Sequence, residues 1–144
     1  MKNRFMAQVQ VEINAPRAKV WKALVTPAMI RQYMFGTNAV SDWEEGAPIV
    51  WQGEWEGKPY EDKGTILQLK PERILQYSHF SPLAGQPDLP ENYHTVTIEL
   101  TPRGAGPLVL LSQDNNATEA DREHAAQNWA MMLDSLKRFL ENEH

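Results

Sequence analysis

Near the start of the chain, Phe5, Ala7, Val9, Val11 and Ile13 occupy every second position, separated by Met6, Gln8, Gln10 and Glu12. A period of two puts successive side chains on opposite faces, so the segment predicts a half-buried strand. Asn14-Ala15-Pro16 stops it, and Pro16 suits the first turn of a helix, where its missing N–H would be unpaired anyway. Val20, Trp21, Leu24 and Val25 then supply a short helical face. Pro27 restarts the chain, and a second short helix carrying Ile30, Tyr33 and Met34 is expected to end near Gly36. At the other end, Thr118 to Glu141 shows the helical period: Ala125, Trp129, Met132, Leu133, Leu136, Phe139 and Leu140 recur at spacings of three and four, with Glu123, Gln127, Asp134, Lys137, Arg138 and Glu141 largely opposite. Thr118 is its predicted N-cap, with Glu119 and Asp121 at the positive end of the helix dipole. At ~1.5 Å rise per residue such a helix spans roughly 35 Å, the width of a small domain. Something broad must cover its apolar stripe.

The middle of the chain supplies that cover. Strands are expected at about Asn38 to Trp43, Ile49 to Trp55, Pro59 to Leu69, Arg73 to Phe80, Tyr93 to Thr101 and Leu108 to Asp114, separated by turn residues such as Glu45-Gly46, Glu56-Gly57, Lys70-Pro71-Glu72 and Arg103-Gly104-Ala105-Gly106-Pro107. Ser81 to Asn92, with Pro82, Gly85, Pro87 and Pro90, is longer than most hairpin connections and is a candidate to close over something. The order of strand, two short helices, six strands and long helix predicts an α+β domain with a mainly antiparallel sheet of seven strands. At 144 residues, the whole of 1–144 reads as one domain.

Composition narrows the function classes. Zero cysteines exclude thiol catalysis and Cys-ligated zinc and fit a reducing compartment. The alternating N-terminus lacks the continuous apolar core of a secretory signal, and no apolar run reaches the length of a membrane span; a soluble, cytoplasmic protein without membrane insertion is expected. A formal net charge of −5, with 14 basic side chains spread along the chain, offers no cationic stripe, so no nucleic-acid partner is expected.

Three passages resemble a known family. Ile13, Ala15, Pro16, Val20, Trp21, Ala23, Leu24 and Pro27 are similar to its opening strand-to-helix motif. Gly64-Thr65-Ile66-Leu67-Gln68-Leu69-Lys70-Pro71-Glu72-Arg73-Ile74 resembles its "G-x-V-L-x-V-x-P-x-R-L" hairpin, and Asn128-Trp129 through Leu133, Leu136 and Leu140 its tryptophan-led closing helix. The family is the one named after the activator of the Hsp90 ATPase (AHSA1-like), within the START-like or Bet v 1-like (SRPBCC) superfamily. Two positions depart from it: Asn128 stands where Gly is frequent, and Tyr33-Met34-Phe35 where many members carry paired tryptophans. The resemblance implies a helix-grip fold, in which a curved sheet wraps around the closing helix and leaves a cavity between them. Relatives in the superfamily bind lipids, sterols, flavonoids and polyketides, and some are cyclases or dehydratases; the family's name comes from a co-chaperone domain. Fold analogy alone does not choose among these.

The candidate chemistry lies on the inward strand faces. Trp51 and Trp55 share a face with Ile49 and Gly53, as core packing or as a cavity wall, and Gly53 leaves a gap there. Trp129 is expected to face the same interior, its indole N–H seeking a ligand or a carbonyl. Leu75, Tyr77 and His79 share a strand face, and the family pattern turns it inward, with His79 hydrogen-bonded in the core and Tyr77 reaching an edge, or both touching a ligand; His79 is the best general acid or base candidate. Gln113, alternating with Leu111 and Val109, is either a polar anchor or a strand-end residue at the rim.

No nucleophile elbow, zinc-protease helix, P-loop or dinucleotide fingerprint occurs, and His79, His94, His124 and His144 lack ligand spacing, so neither metal nor cofactor is expected. Glu44, Glu45, Glu54, Glu56, Glu61 and Asp62 read as a solvated rim, and Met131 and Met132 as helix packing. The resulting expectation is a protein that binds a hydrophobic, ring-containing small molecule between sheet and helix. Trp51, Trp55 and Trp129 would be walls, Tyr77, His79 and Gln113 polar anchors, and Ser81 to Asn92 with the second short helix the gates. The alternatives are a cyclase or dehydratase using His79 and Tyr77, and a module that contacts an Hsp90-type chaperone.

Overall fold

The computed structural model describes residues 5–82, 85–104 and 106–142, and the side chain of Trp55 lies outside the described residues. Strand β1 (Ala7–Glu12) leads into helices α1 (Arg17–Val25) and α2 (Pro27–Tyr33). Strands β2 (Asn38–Ser41), β3 (Pro48–Trp55), β4 (Lys58–Lys70), β5 (Ile74–His79), β6 (His94–Arg103) and β7 (Gly106–Gln113) follow, and helix α3 (Glu119–Glu141) closes the fold. The described strands form one antiparallel sheet in the order β1-β7-β6-β5-β4-β3-β2. The sequence-predicted helix-grip architecture is therefore the observed one: a curved seven-stranded sheet around a long helix.

Local chemistry sets the boundaries. Pro27 occupies the first turn of α2, and the chain leaves that helix through Phe35 and Gly36, both at positive φ. Thr118 caps α3, its hydroxyl accepting the Asp121 N–H at 3.0 Å. Met132, Leu133, Leu136 and Leu140 of α3 are buried against the sheet, each contributing about 1.5–3 kcal/mol of apolar burial. Met131 departs from the expected packing. It is 59% exposed, because it stands one position beyond the buried stripe.

The far end of α3 is tied to β1. Glu141 accepts the Asn14 N–H at 2.7 Å and pairs with Lys137, which also donates to the Glu12 carbonyl. In the sheet, Ile66 pairs with Tyr77 but Gln68 with Gln76, so Leu67 is an extra residue in β4. This bulge switches which positions face inward: Ile66 is buried before it, Leu67 is 42% exposed, and Leu69 packs on the core after it.

Candidate functional site

The strand registers assemble a polar pair inside an aromatic frame. Across β3 and β4, Ile49 faces Gly64, Trp51 faces Asp62 and Gly53 faces Tyr60. Across β5 and β6, Tyr77 faces Val96 and His79 faces His94. Between the pairings Ile66↔Tyr77 and Lys63↔Phe80, Gly64 falls opposite His79. Because that neighbour has no side chain, the imidazole reaches diagonally to Asp62, with Nε2 at 3.0 Å from Oδ2. A Cβ on Gly64 would lie only 1.7 Å from the Ser78 carbonyl oxygen, so the close approach of β4 to β5 that forms this pair requires glycine.

The carboxylate is an acceptor, which makes His79 Nε2 the protonated nitrogen and leaves Nδ1 with a free lone pair in the neutral ring. Nδ1 and the second carboxylate oxygen, Asp62 Oδ1, are both buried without a hydrogen-bond partner among the described residues. Trp51 packs edge-on to the His79 ring at 5.1 Å and on the Tyr77 ring at 4.9 Å. Burial holds the Tyr77 and Tyr33 hydroxyls well above the ordinary tyrosine range, so both remain protonated. Tyr33 donates to the Ala23 carbonyl, whereas no described residue hydrogen-bonds the Tyr77 hydroxyl.

Met34, Thr37, Trp51, Tyr60, Asp62, Tyr77, His79 and Trp129 line a partly open cavity of about 60 Å³. A smaller apolar void of about 20 Å³ adjoins it across Met34, Trp51 and Tyr77, toward Leu75, Ile98 and Met132. Outside Trp129 lies a polar cleft of about 600 Å³, bounded by His94, Gln113, Asn128 and the start of α3. Trp129 is thus a partition between cavity and cleft, and it is held in place. Its indole N–H donates to Gln113 Oε1 at 2.6 Å, the Gln113 amide donates to Asn116 Oδ1, and Asn116 donates to the Phe5 and Gln113 carbonyls. His94, 6.5 Å from His79 between ring centroids, donates from Nδ1 to the Asp114 carbonyl on the cleft side.

Trp51, Tyr77, His79 and Trp129, singled out in the sequence, converge on one cavity. Gln113 does not line it; its amide is committed to Trp129 and Asn116, and it faces the cleft. The Trp55 side chain lies outside the described residues. The gap expected at Gly53 is filled by Tyr60, whose hydroxyl would lie 2.7 Å from an added Cβ and pairs with Thr37 Oγ1.

Asp62 is not part of a solvated rim. Its side chain is 16% exposed and holds His79, and its alternation with Tyr60, Gly64 and Ile66 was the available signal for an inward face. Met34, which ends α2, lines the cavity. The Ser81 to Asn92 loop instead contributes Ser81 and Gln86 to the outer cleft. It is latched to the opposite sheet face, where Asp88 pairs with Lys63 and accepts the Tyr93 hydroxyl at 2.7 Å, and Tyr93 stacks on Phe80. Among the described residues no cluster of three metal-ligating side chains occurs.

Residues 14–141 match the family model described as activator of Hsp90 ATPase homolog 1-like protein. The solution structure of ChR145 from Cytophaga hutchinsonii is 62% identical to this chain, with a TM-score of 0.86 over 99% of this chain and 97% of its own. More distant structures share the fold. CalU16 from Micromonospora echinospora is 23% identical with a TM-score of 0.73, over 97% of this chain and 86% of its own. The Aha1 dimer from Colwellia psychrerythraea is 19% identical with a TM-score of 0.73, over 94% and 96%. No curated protein sequence matches. A match to the family model over nearly the whole fold identifies this chain as a member of the activator of Hsp90 ATPase homolog 1-like (AHSA1-like) family.

Proposed function

We propose that this chain binds a small molecule bearing a hydrophobic ring and a hydrogen-bonding group in the space between the sheet and α3. The carrying observation is a pair of buried atoms, His79 Nδ1 and Asp62 Oδ1, that have no hydrogen-bond partner among the described residues and belong to two residues lining an aromatic-walled cavity. A buried polar atom left unsatisfied costs about 1–3 kcal/mol, so a ligand hydroxyl reaching either one recovers part of that cost. Trp51, Tyr77 and Trp129 supply apolar walls for a ring, and the Tyr77 hydroxyl adds a further polar anchor.

Size defines what must move. Benzene occupies an engineered cavity of about 150 Å³, so a ring needs more than the 60 Å³ present here. Met34, with its flexible thioether, bounds both interior spaces, and Trp129 bounds the cavity and the cleft. Displacing these two side chains merges the spaces, and the polar remainder of a ligand then rests in the cleft. This reading takes the chain as cytoplasmic; among the described residues no helix is long and apolar enough to cross a membrane.

The test is a thermal-shift and tryptophan-fluorescence screen with flavonoids, sterols, fatty acids and aromatic polyketides, beside native mass spectrometry for a retained molecule. Binding to the folded state alone stabilises by about 2.7 kcal/mol at 100 times Kd. A panel that moves neither signal, with no molecule retained, overturns the proposal. The family description and the likeness to the Aha1 dimer favour a second reading, an Hsp90-type chaperone as partner. Stimulation of an Hsp90 ATPase that persists when the cavity is blocked would place that partner on the outer surface.

A further inference from the structure

The geometry points to proton transfer in this cavity: we propose that His79, positioned by Asp62, is a general base that removes a proton from a carbon next to a carbonyl, while the Tyr77 hydroxyl binds the carbonyl oxygen. The inference rests on the small-molecule reading above and adds a substrate class to it, β,γ-unsaturated ketones and related carbon acids.

Three observations carry it. First, the Asp62 carboxylate on Nε2 selects the tautomer whose Nδ1 lone pair is free, and it faces the positive charge that the ring acquires on protonation. Second, Nδ1 is buried with no hydrogen-bond partner among the described residues, so it meets a substrate, rather than bulk water, once the side chains around the cavity move aside. Third, Tyr77 stands two residues from His79 on the same strand face and lines the same cavity, with no described residue bonded to its hydroxyl. The other two lining hydroxyls, Thr37 and Tyr60, hydrogen-bond each other at 2.7 Å, and the chain has no cysteine; the lining therefore favours proton transfer over covalent catalysis.

The step balances without a co-reactant. The C–H bond beside the carbonyl breaks, and its electron pair forms the new carbon–carbon double bond as the carbonyl π pair moves onto oxygen. The proton goes to His79 Nδ1, and the oxygen accepts a hydrogen bond from Tyr77, whose burial keeps it protonated. The imidazolium then returns the proton to the same carbon, which is exchange, or to the far end of the conjugated system, which moves the double bond.

The probe is a β,γ-unsaturated cyclohexenone, with formation of its conjugated isomer followed by ultraviolet absorbance and binding followed by the Trp51 and Trp129 indole resonances. The full chain is expected to outpace equimolar free imidazole by about 10²- to 10⁴-fold, with His79→Gln removing that gain. Asp62→Asn is expected to lower kcat with little change in KM and to shift the His79 tautomer, read by nitrogen NMR of the ring; that arm decides the matter if His79→Gln does not fold. Acceleration that survives His79→Gln, or an unchanged tautomer and rate in Asp62→Asn, overturns the proposal. Binding without acceleration overturns it while leaving the binding reading intact. Neither binding nor acceleration, together with a silent ligand panel, removes both.

Discussion

Gly64→Ala tests whether strand approach builds the site. The added Cβ would lie 1.7 Å from Ser78 O and 2.6 Å from Ser78 C, both backbone atoms, whereas real Cβ contacts essentially never fall below 3.0 Å. Strands β4 and β5 must therefore part by roughly an ångström or more, a strain of the kind that costs ~1–3 kcal/mol in packed interiors. The movement also stretches the Lys63–Phe80 backbone pair, at 3.0 and 2.8 Å, and the Thr65 N–H bond to Ser78 Oγ at 2.9 Å. Each of those bonds contributes about 0.5–1.5 kcal/mol net. A loss of about 2–5 kcal/mol is expected, and for a chain of this length about 4 °C in Tm accompanies each kcal/mol.

Gly53→Ala is the matched control. Its Cβ meets only the Tyr60 ring and hydroxyl, the far end of a side chain that can swing aside, so about 1 kcal/mol or less is expected. Urea denaturation followed by far-ultraviolet circular dichroism measures both, and ring-nitrogen NMR reports whether the Asp62–His79 contact survives. A Gly64→Ala loss no larger than that of Gly53→Ala, with the imidazole signals unmoved, would refute the argument that this glycine holds the pair together.

A double-mutant cycle of Trp129→Phe and Gln113→Leu should yield a coupling of about 0.5–1.5 kcal/mol for the 2.6 Å indole–amide bond; additivity within ~0.3 kcal/mol would show that the bond does not hold the partition. Met132→Ala is expected to cost about 2–5 kcal/mol by denaturant titration and its neighbour Met131→Ala about 0.5 kcal/mol or less, because one is buried and the other exposed; equal costs would contradict the helix rotation described. The Asn14 N–H and then Lys137 hold the Glu141 carboxyl below its ordinary value, so the folded state binds a proton there less readily than the unfolded chain. Its stabilising contribution is present above the ordinary carboxylate range and fades as pH falls through the lowered value; the stability gap between wild type and Glu141→Gln should narrow on acidification, and a pH-independent gap would argue against the contact.

Much of the architecture follows from period and punctuation alone. Alternation from Phe5 to Ile13 and the three-and-four spacing from Ala125 to Leu140 commit those segments to one strand and one helix, because only one face of each can be buried. Pro27 and Thr118 act within a single turn, so their effects on the helix starts are equally local. The inward direction of Tyr77 and His79 was legible from their common parity with Leu75 and the family pattern. Asp62 was not, since a carboxylate in a charged stretch looks solvated until its cross-strand neighbours are known. Register made it a partner of Trp51 and His79, through a glycine whose contact is with another strand's backbone. The same holds for Leu67, exposed by a bulge, for Tyr60 filling the space over Gly53, and for Gln113 bonding Trp129 across sixteen residues. Local periodicity thus set which residues share a face within each unbroken stretch; tertiary structure decided which face turns inward past the β4 bulge and which inward residues meet, because pairing register and helix placement are set by long-range packing.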